Sequence, residues 1–174
     1  MSSSGVASLT PRRQLWPMLS AWLPVVFCVL VIAAESTAYF GADHTSGPLR
    51  RLCEWLLGRR IDDAVWEHVH FLIRKCGHFT GYGILSAAWF RAIWMTFRQR
   101  VRVLPARWKL HGLAMAGTFA IASLDEWHQS FLPNRTSSFL DVLIDCSGGL
   151  AVQLAIWTMM SAGRRIAKRG YSFS

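Results

Sequence analysis

Residues 16–34 read WPMLSAWLPVVFCVLVIAA without a single charge, and the apolar character persists to about Ala38 with Glu35 as its one acid. At about 1.5 Å per residue, a helix of that length crosses a hydrocarbon core roughly 30 Å thick. Working outward from it, three further stretches have the same character: about Gly77 to Phe97, Leu110 to about Leu132, and Phe139 to about Ala162. Membrane strands would instead alternate in segments of about ten residues. The expected fold is all-α, a polytopic membrane protein built as a bundle of four transmembrane helices.

Composition points the same way. Of 174 residues, 52% are hydrophobic and 17% charged, against roughly 25% charged in an ordinary soluble domain. A soluble enzyme of standard composition is excluded, and so is disorder over most of the chain. The formal net charge of +9 takes its meaning from where the charges sit. With a cytoplasmic N-terminus, the inner pieces hold Arg12, Arg13, Arg98, Arg100, Arg102, Arg107, Lys109, Arg164, Arg165, Lys168 and Arg169 and no acid. Lys and Arg in short loops set orientation, so both termini are expected in the cytoplasm of a multi-pass cell-membrane protein. The chain then divides into an N-terminal tail (1–15), a membrane domain (16–162) and a basic tail (163–174). The positive excess reads as a topology signal and a contact with anionic headgroups, so membrane lipids are expected partners and nucleic acid is not.

A signal peptide competes for the first segment, because Arg12 and Arg13 precede an apolar core and Ser36-Thr37-Ala38 resembles a cleavage site. The run is longer than the 7 to 15 residues of about every signal core, which favours an uncleaved helix. Between it and the second span lies a long outer segment, Tyr39 to Cys76. Within that segment Leu49, Leu52, Trp55, Leu56 and Leu57 recur at helical spacing among Arg50, Arg51, Glu54, Arg59 and Arg60. The pattern suits a short helix lying at the membrane interface, equally a surface loop with an anchoring helix and no further task.

Ionisable side chains inside spans cost about 2.5–3.5 kcal/mol at a helix centre on insertion scales, so they need an account. Here they fall at one depth. Lys75, His78 and Tyr82 form one stripe on the second span, Asp125, Glu126, His128 and Gln129 lie at the outer end of the third, and Asp141 and Asp145 begin the fourth. Gly77, Gly81, Gly83, Gly148 and Gly149 adjoin them and would let the helices approach closely. Arg135, in the turn Leu132-Pro133-Asn134-Arg135, offers a guanidinium suited to a carboxylate or phosphate. The expected consequence is a polar pocket in the outer leaflet. The competing account is an internal network in which Lys75 and Arg135 neutralise the acids and only hold helices together.

Other signals are thinner. Asn134-Arg135-Thr136 matches a glycosylation sequon. Glu67, His68 and His70 invite a metal, but residues two apart point to different sides of a helix, so packing is expected. Cys28, Cys53, Cys76 and Cys146 show no paired zinc spacing, and Cys53 with Cys76 could oxidise together. The Trp residues suit interfacial belts, and Arg91 is expected to snorkel to the inner surface.

Three ordered blocks carry a resemblance: Lys75-Cys76-Gly77-His78-Phe79-Thr80-Gly81-Tyr82-Gly83-Ile84-Leu85, Asp125-Glu126-Trp127-His128-Gln129-Ser130-Phe131-Leu132-Pro133-Asn134-Arg135, and Asp141-Val142-Leu143-Ile144-Asp145-Cys146-Ser147-Gly148-Gly149. Together they resemble the VanZ-like family of bacterial membrane proteins, strongly over about Val65 to Ile156 and only by position in the first helix. Asp145 departs from the Asn that the family often carries, adding a charge. The resemblance implies an envelope protein, and its founding member is associated with teicoplanin resistance.

Three functions follow as expectations. The first is a non-enzymatic envelope protein that binds a lipid-linked or amphiphilic ligand in the pocket. The second is a metal-dependent membrane hydrolase or transferase acting on a phosphorylated or lipid-linked substrate. In it Asp125, Glu126, Asp141 and Asp145 hold a divalent cation, His78 or His128 acts as acid or base, and Lys75 and Arg135 stabilise negative charge. No nucleophile motif accompanies it. The third, a proton-coupled carrier, follows from the intramembrane acids alone.

Overall fold

The computed structural model describes residues 11–37, 39, 41–100, 105–132 and 138–170, and these form five helices and no strand. They are α1 (Pro11–Glu35), α2 (Ala42–Leu57), α3 (Asp63–Arg100), α4 (Arg107–Gln129) and α5 (Phe139–Gly170). Two of them are long and apolar enough to cross a membrane, over Trp16–Glu35 and Phe139–Gly163. The other two expected spans are long enough but more polar: α3 carries His78, Thr80, Tyr82 and Arg91, and α4 carries Lys109, His111, Thr118 and Asp125. In the two apolar windows only 17% and 28% of residues are buried, the opposite of a helix at the centre of a soluble core. Trp16, Phe27, Leu30, Trp127, Leu154 and Met159 all point outward.

The largest departure from expectation is α3. It begins at Asp63 rather than near Gly77 and runs for 38 residues, about 57 Å at 1.5 Å per residue. Its start is built by Asp62, whose Oδ1 accepts the Ala64 N–H at 3.0 Å while its carbonyl accepts the Trp66 N–H at 2.8 Å. The long segment between the first two expected spans is thus mostly helical. Helix α2 fills its first half and ends on Gly58, whose φ of 64° is the left-handed conformation glycine adopts without penalty. Arg50 then clamps the turn. Its guanidinium donates to Glu54 at 3.0 Å, Asp63 at 2.6 Å and the Ile61 carbonyl, and Glu54 also accepts the Ile61 N–H at 2.9 Å. These contacts hold the Glu54 carboxyl below its ordinary value, the Ile61 N–H foremost.

Helix α3 is the hub, packing on α1, α4 and α5. Its closest approach is to α5 at Gly148, where a Cβ would sit 2.0 Å from the Phe79 carbonyl oxygen, a distance no side chain tolerates. Gly83 faces the same crossing, with Val152 Cγ2 and the Gly148 oxygen at 3.1 and 3.3 Å from a Cβ there. Gly149 packs on Thr118. By contrast Gly77 and Gly81 have nothing within 4 Å, so the expectation that they serve close approach is corrected: their missing side chains leave space.

Arg91 is also corrected. Instead of reaching for the inner surface it donates from Nη1 to the Ser20 and Ala21 carbonyls of α1, at 3.0 and 3.1 Å. Pro24 explains why an acceptor is free there, since proline has no N–H to bond the carbonyl four residues earlier. Trp22 joins the same contact, donating from Nε1 to Thr96 at 3.1 Å and meeting Trp89 edge-on.

Candidate functional site

The crossing at Gly148 sets the geometry of the polar residues. Because α5 touches α3 at Phe79, Asp145, one turn before Gly148, arrives beside His78. From there a ladder extends in both directions along the α3 stripe. Lys75 Nζ bonds Asp141 Oδ1, His78 Nδ1 lies 3.2 Å from Asp145 Oδ1, and the Tyr82 hydroxyl donates to Asp125 Oδ2 at 3.1 Å. Two rungs join α3 to α5 and the third joins it to α4. His78 stacks over Tyr82 with ring centres 6.3 Å apart.

The rungs are unequally satisfied. Asp145 is fully buried and Asp125 is 7% exposed. Neither oxygen of Asp145, nor Oδ1 of Asp125, has a hydrogen-bond partner among the described residues. His78 is near Asp145 in distance without the alignment of a hydrogen bond. One potential ligand atom from each of His78, Asp125 and Asp145 lies within 4.8 Å of the other two.

The remaining expected residues take other places. Glu126 accepts the Ser138 N–H at 2.9 Å and so fastens the entry of α5 to the end of α4. His128 Nδ1 meets Ser36 Oγ at 2.9 Å, tying α4 to the end of α1. Gln129 is buried and lines the cleft beside Asp125. The expected four-carboxylate cation set does not assemble, because Glu126 and Asp141 are engaged elsewhere and His78 stands in their place. Arg135 and the sequon around it lie outside the described residues, as do the side chains of Arg12, Arg13, Arg100 and the basic tail. The four cysteines are free thiols.

Three cavities, neighbouring ones sharing wall residues, form a groove-like row that ends at Asp125. Its inner end is a narrow cleft of about 20 Å³ between Ser36, Gly77, Gly81, Tyr82 and Asp125. Glu35, Gly77 and His78 border both this cleft and a cavity of about 170 Å³ under α2, where Thr45, Leu49, His70 and Arg74 complete the wall. Thr45 and Leu49 in turn border a wider hollow of about 600 Å³ with Tyr39, His44, Pro48 and Leu52. His70, 7% exposed, stacks on Trp66 and its Nε2 meets Thr45 Oγ1 at 3.2 Å, pinning α2 to α3. Burial, with the Arg74 charge adding to it, keeps the His70 imidazole below its ordinary value. His70 thus packs between α2 and α3, and His68 bonds the Ala64 carbonyl on its own helix.

Sequence reasoning did not place Glu35, Thr45, His70 and Arg74 at this groove. The spacing held a signal, since positions 70, 74, 77 and 81 form a second stripe on α3, but only once α3 is known to start at Asp63. Farther along the same helices is a second polar layer that it also missed. Gln153 Nε2 donates to the Ser86 carbonyl and hydroxyl at 2.9 and 2.8 Å, and its Oε1 meets His111 Nδ1 at 2.6 Å. His111 stacks on Phe90 and meets Trp157 edge-on. A lone Gln and a lone His in apolar runs were its traces.

No curated protein and no solved structure matches the chain. A protein-family model does: VanZ/LLP1, over residues 17–160. That match takes in the three blocks on which the ladder and the groove are built, together with α1 and α2, and with most of its length covered the chain belongs to the VanZ/LLP1 family.

Proposed function

We propose that the chain is an integral membrane protein of the bacterial envelope whose groove takes an amphiphilic, lipid-linked ligand. In this reading α1, α3, α4 and α5 span the bilayer, α2 lies along the outer headgroup layer, and both termini are cytoplasmic. The ligand's polar end lies toward His78 and the buried carboxylates, and its apolar part lies along Leu49 and Leu52. The single observation that carries the reading is a row of cavities with shared wall residues, from an apolar hollow beside α2 to a cleft at Asp125, whose Oδ1 has no partner among the described residues. Supporting it, α2 leaves Leu52, Trp55, Leu56 and Leu57 more than half exposed, as an interfacial helix would.

Native mass spectrometry of protein extracted from bacterial membranes in mild detergent tests it. A lipid adduct is expected, weakened when Gly81→Leu fills the cleft. Expression in a glycopeptide-sensitive host is expected to alter teicoplanin susceptibility or envelope lipids, and Asp125→Asn to remove the effect. Bare protein together with unchanged susceptibility and lipids would overturn the reading. Reporter fusions at the termini test the topology.

A second reading, a membrane hydrolase or transferase acting on a phosphorylated or lipid-linked substrate, is favoured by the proximity of His78, Asp125 and Asp145. Against it, Ser86 and Ser130 are spent on structural hydrogen bonds. Release of phosphate from lipid phosphates by purified protein would establish it.

A further inference from the structure

We infer that His78, Asp125 and Asp145 form a binding site for one first-row divalent cation, of the manganese or zinc type, between α3, α4 and α5. Two independent features meet here. One is the convergence of three ligand atoms within 4.8 Å, each from a different helix. The other is that both carboxylates are more than nine-tenths buried and hold three oxygens with no hydrogen-bond partner among the described residues.

Burying two carboxylates with three oxygens unbonded is costly, and their like charges add to that cost. A dication placed among them neutralises both. Imidazole nitrogen with carboxylate oxygen is a donor set shared by zinc and manganese, whereas an all-oxygen set would suit magnesium or calcium. Distances agree with the assignment. Two donors each about 2.1 Å from one ion stand about 3.0 Å apart in octahedral and about 3.4 Å in tetrahedral coordination. His78 Nδ1 and Asp145 Oδ1 are 3.2 Å apart without hydrogen-bond alignment, an ion-pair distance that equally fits two ligands on one ion. Tyr82 serves as a positioning residue: by donating to Asp125 Oδ2 it leaves Oδ1 for the ion. The cleft lined by His78, Tyr82 and Asp125 gives access for water to the remaining coordination positions. The site does not require the lipid-ligand reading, since the ion would bind with the groove empty.

The test uses the full chain in detergent micelles, freed of any histidine tag and stripped with chelator, then dialysed against low-micromolar Zn²⁺ or Mn²⁺. One ion per chain is expected. Asp145→Asn and Asp125→Asn, which keep side-chain shape, are each expected to weaken binding at least tenfold, while Asp141→Asn, one turn away on Lys75, leaves it unchanged. Pulsed electron paramagnetic resonance of Mn²⁺ in the wild-type chain is expected to show a coordinated nitrogen, a readout that needs no variant to fold. Failure of a natively helical wild-type chain to retain either ion, affinity that survives both Asn variants, or bound Mn²⁺ without nitrogen coupling would each overturn the assignment. Lipid adducts measured on the stripped protein report on the groove separately, so either idea can fail alone.

Discussion

Helices α3, α4 and α5 share two polar layers, and the two are finished differently. The layer of Ser86, His111 and Gln153 holds no carboxylate. The amide of Gln153 spends both ends, and only His111 Nε2 is left over among the described residues. The layer of His78, Asp125 and Asp145 holds two buried carboxylates beside a half-buried imidazole, and leaves three oxygens over among the described residues. One turn of α3, from Tyr82 to Ser86, separates them. A satisfied buried network specifies packing, while a partly satisfied one is retained at a cost to stability. On the proposed reading, the first layer holds the bundle together and the second receives something from outside it.

The comparison breaks most directly at Gly148. Alanine there would place a methyl 2.0 Å from the Phe79 oxygen, and backbone on both sides leaves nothing flexible to give way. Gly148→Ala is expected to cost about 3 kcal/mol or more, in the range of severe overpacking, and to abolish both layers together. Unfolding in detergent followed by circular dichroism checks it. A native-like transition would mean that the α3–α5 crossing is not the element that brings His78 to Asp145.

Next in size is a paired substitution. Gln153→Ala strands His111 Nδ1, and leaving a buried polar group unpaired costs about 1–3 kcal/mol. Asp145→Asn removes a buried charge that has no aligned partner, and without bound metal is expected to shift stability by less than about 1 kcal/mol in either direction. Equal losses from the two variants would erase the distinction between the layers.

What the residue pattern revealed, and what it hid, follows the same division. The α3 stripe was legible because Lys75, His78 and Tyr82 are ionisable or polar in an apolar run, and their spacing put them on one face. Their partners were not legible. Which acid meets which rung depends on the height at which α5 crosses α3, and that is set by Gly148 against Phe79 rather than by the charged residues. Gln153 and His111 were hidden because each is a single polar position, and a polar residue facing a neighbour reads the same as one facing a headgroup. Gly77 and Gly81 were misread alongside Gly83 because spacing shows that glycines line up but not whether a neighbour touches them.

Arg91 tests whether α1 belongs to the structural half of this comparison. Its bond to Ser20 replaces the one Pro24 removes from α1, and a second goes to Ala21, so Arg91→Met is expected to cost about 1–2 kcal/mol. The loss should appear as faster hydrogen exchange of α1 amides on either side of Pro24, while α4 and α5 stay protected. Uniform loosening of all helices would show instead that Arg91 supports the whole bundle.

The smallest effect separates the two layers most finely, through two glycines on one helix. Gly in a helix costs roughly 0.5–1 kcal/mol relative to Ala, because its backbone gives up more freedom on folding. At Gly83 that cost is offset by contact, since a methyl would meet Val152 Cγ2 at 3.1 Å and the Gly148 oxygen at 3.3 Å; Gly83→Ala is therefore expected to lower the melting temperature. At Gly81 nothing lies within 4 Å and the position borders the cleft, so Gly81→Ala is expected to raise stability by up to about 1 kcal/mol. If packing were the reason for both glycines, both variants would destabilise. Opposite signs would mean that one helix carries a glycine for its neighbour and, a half-turn earlier, a glycine for the space that a ligand enters.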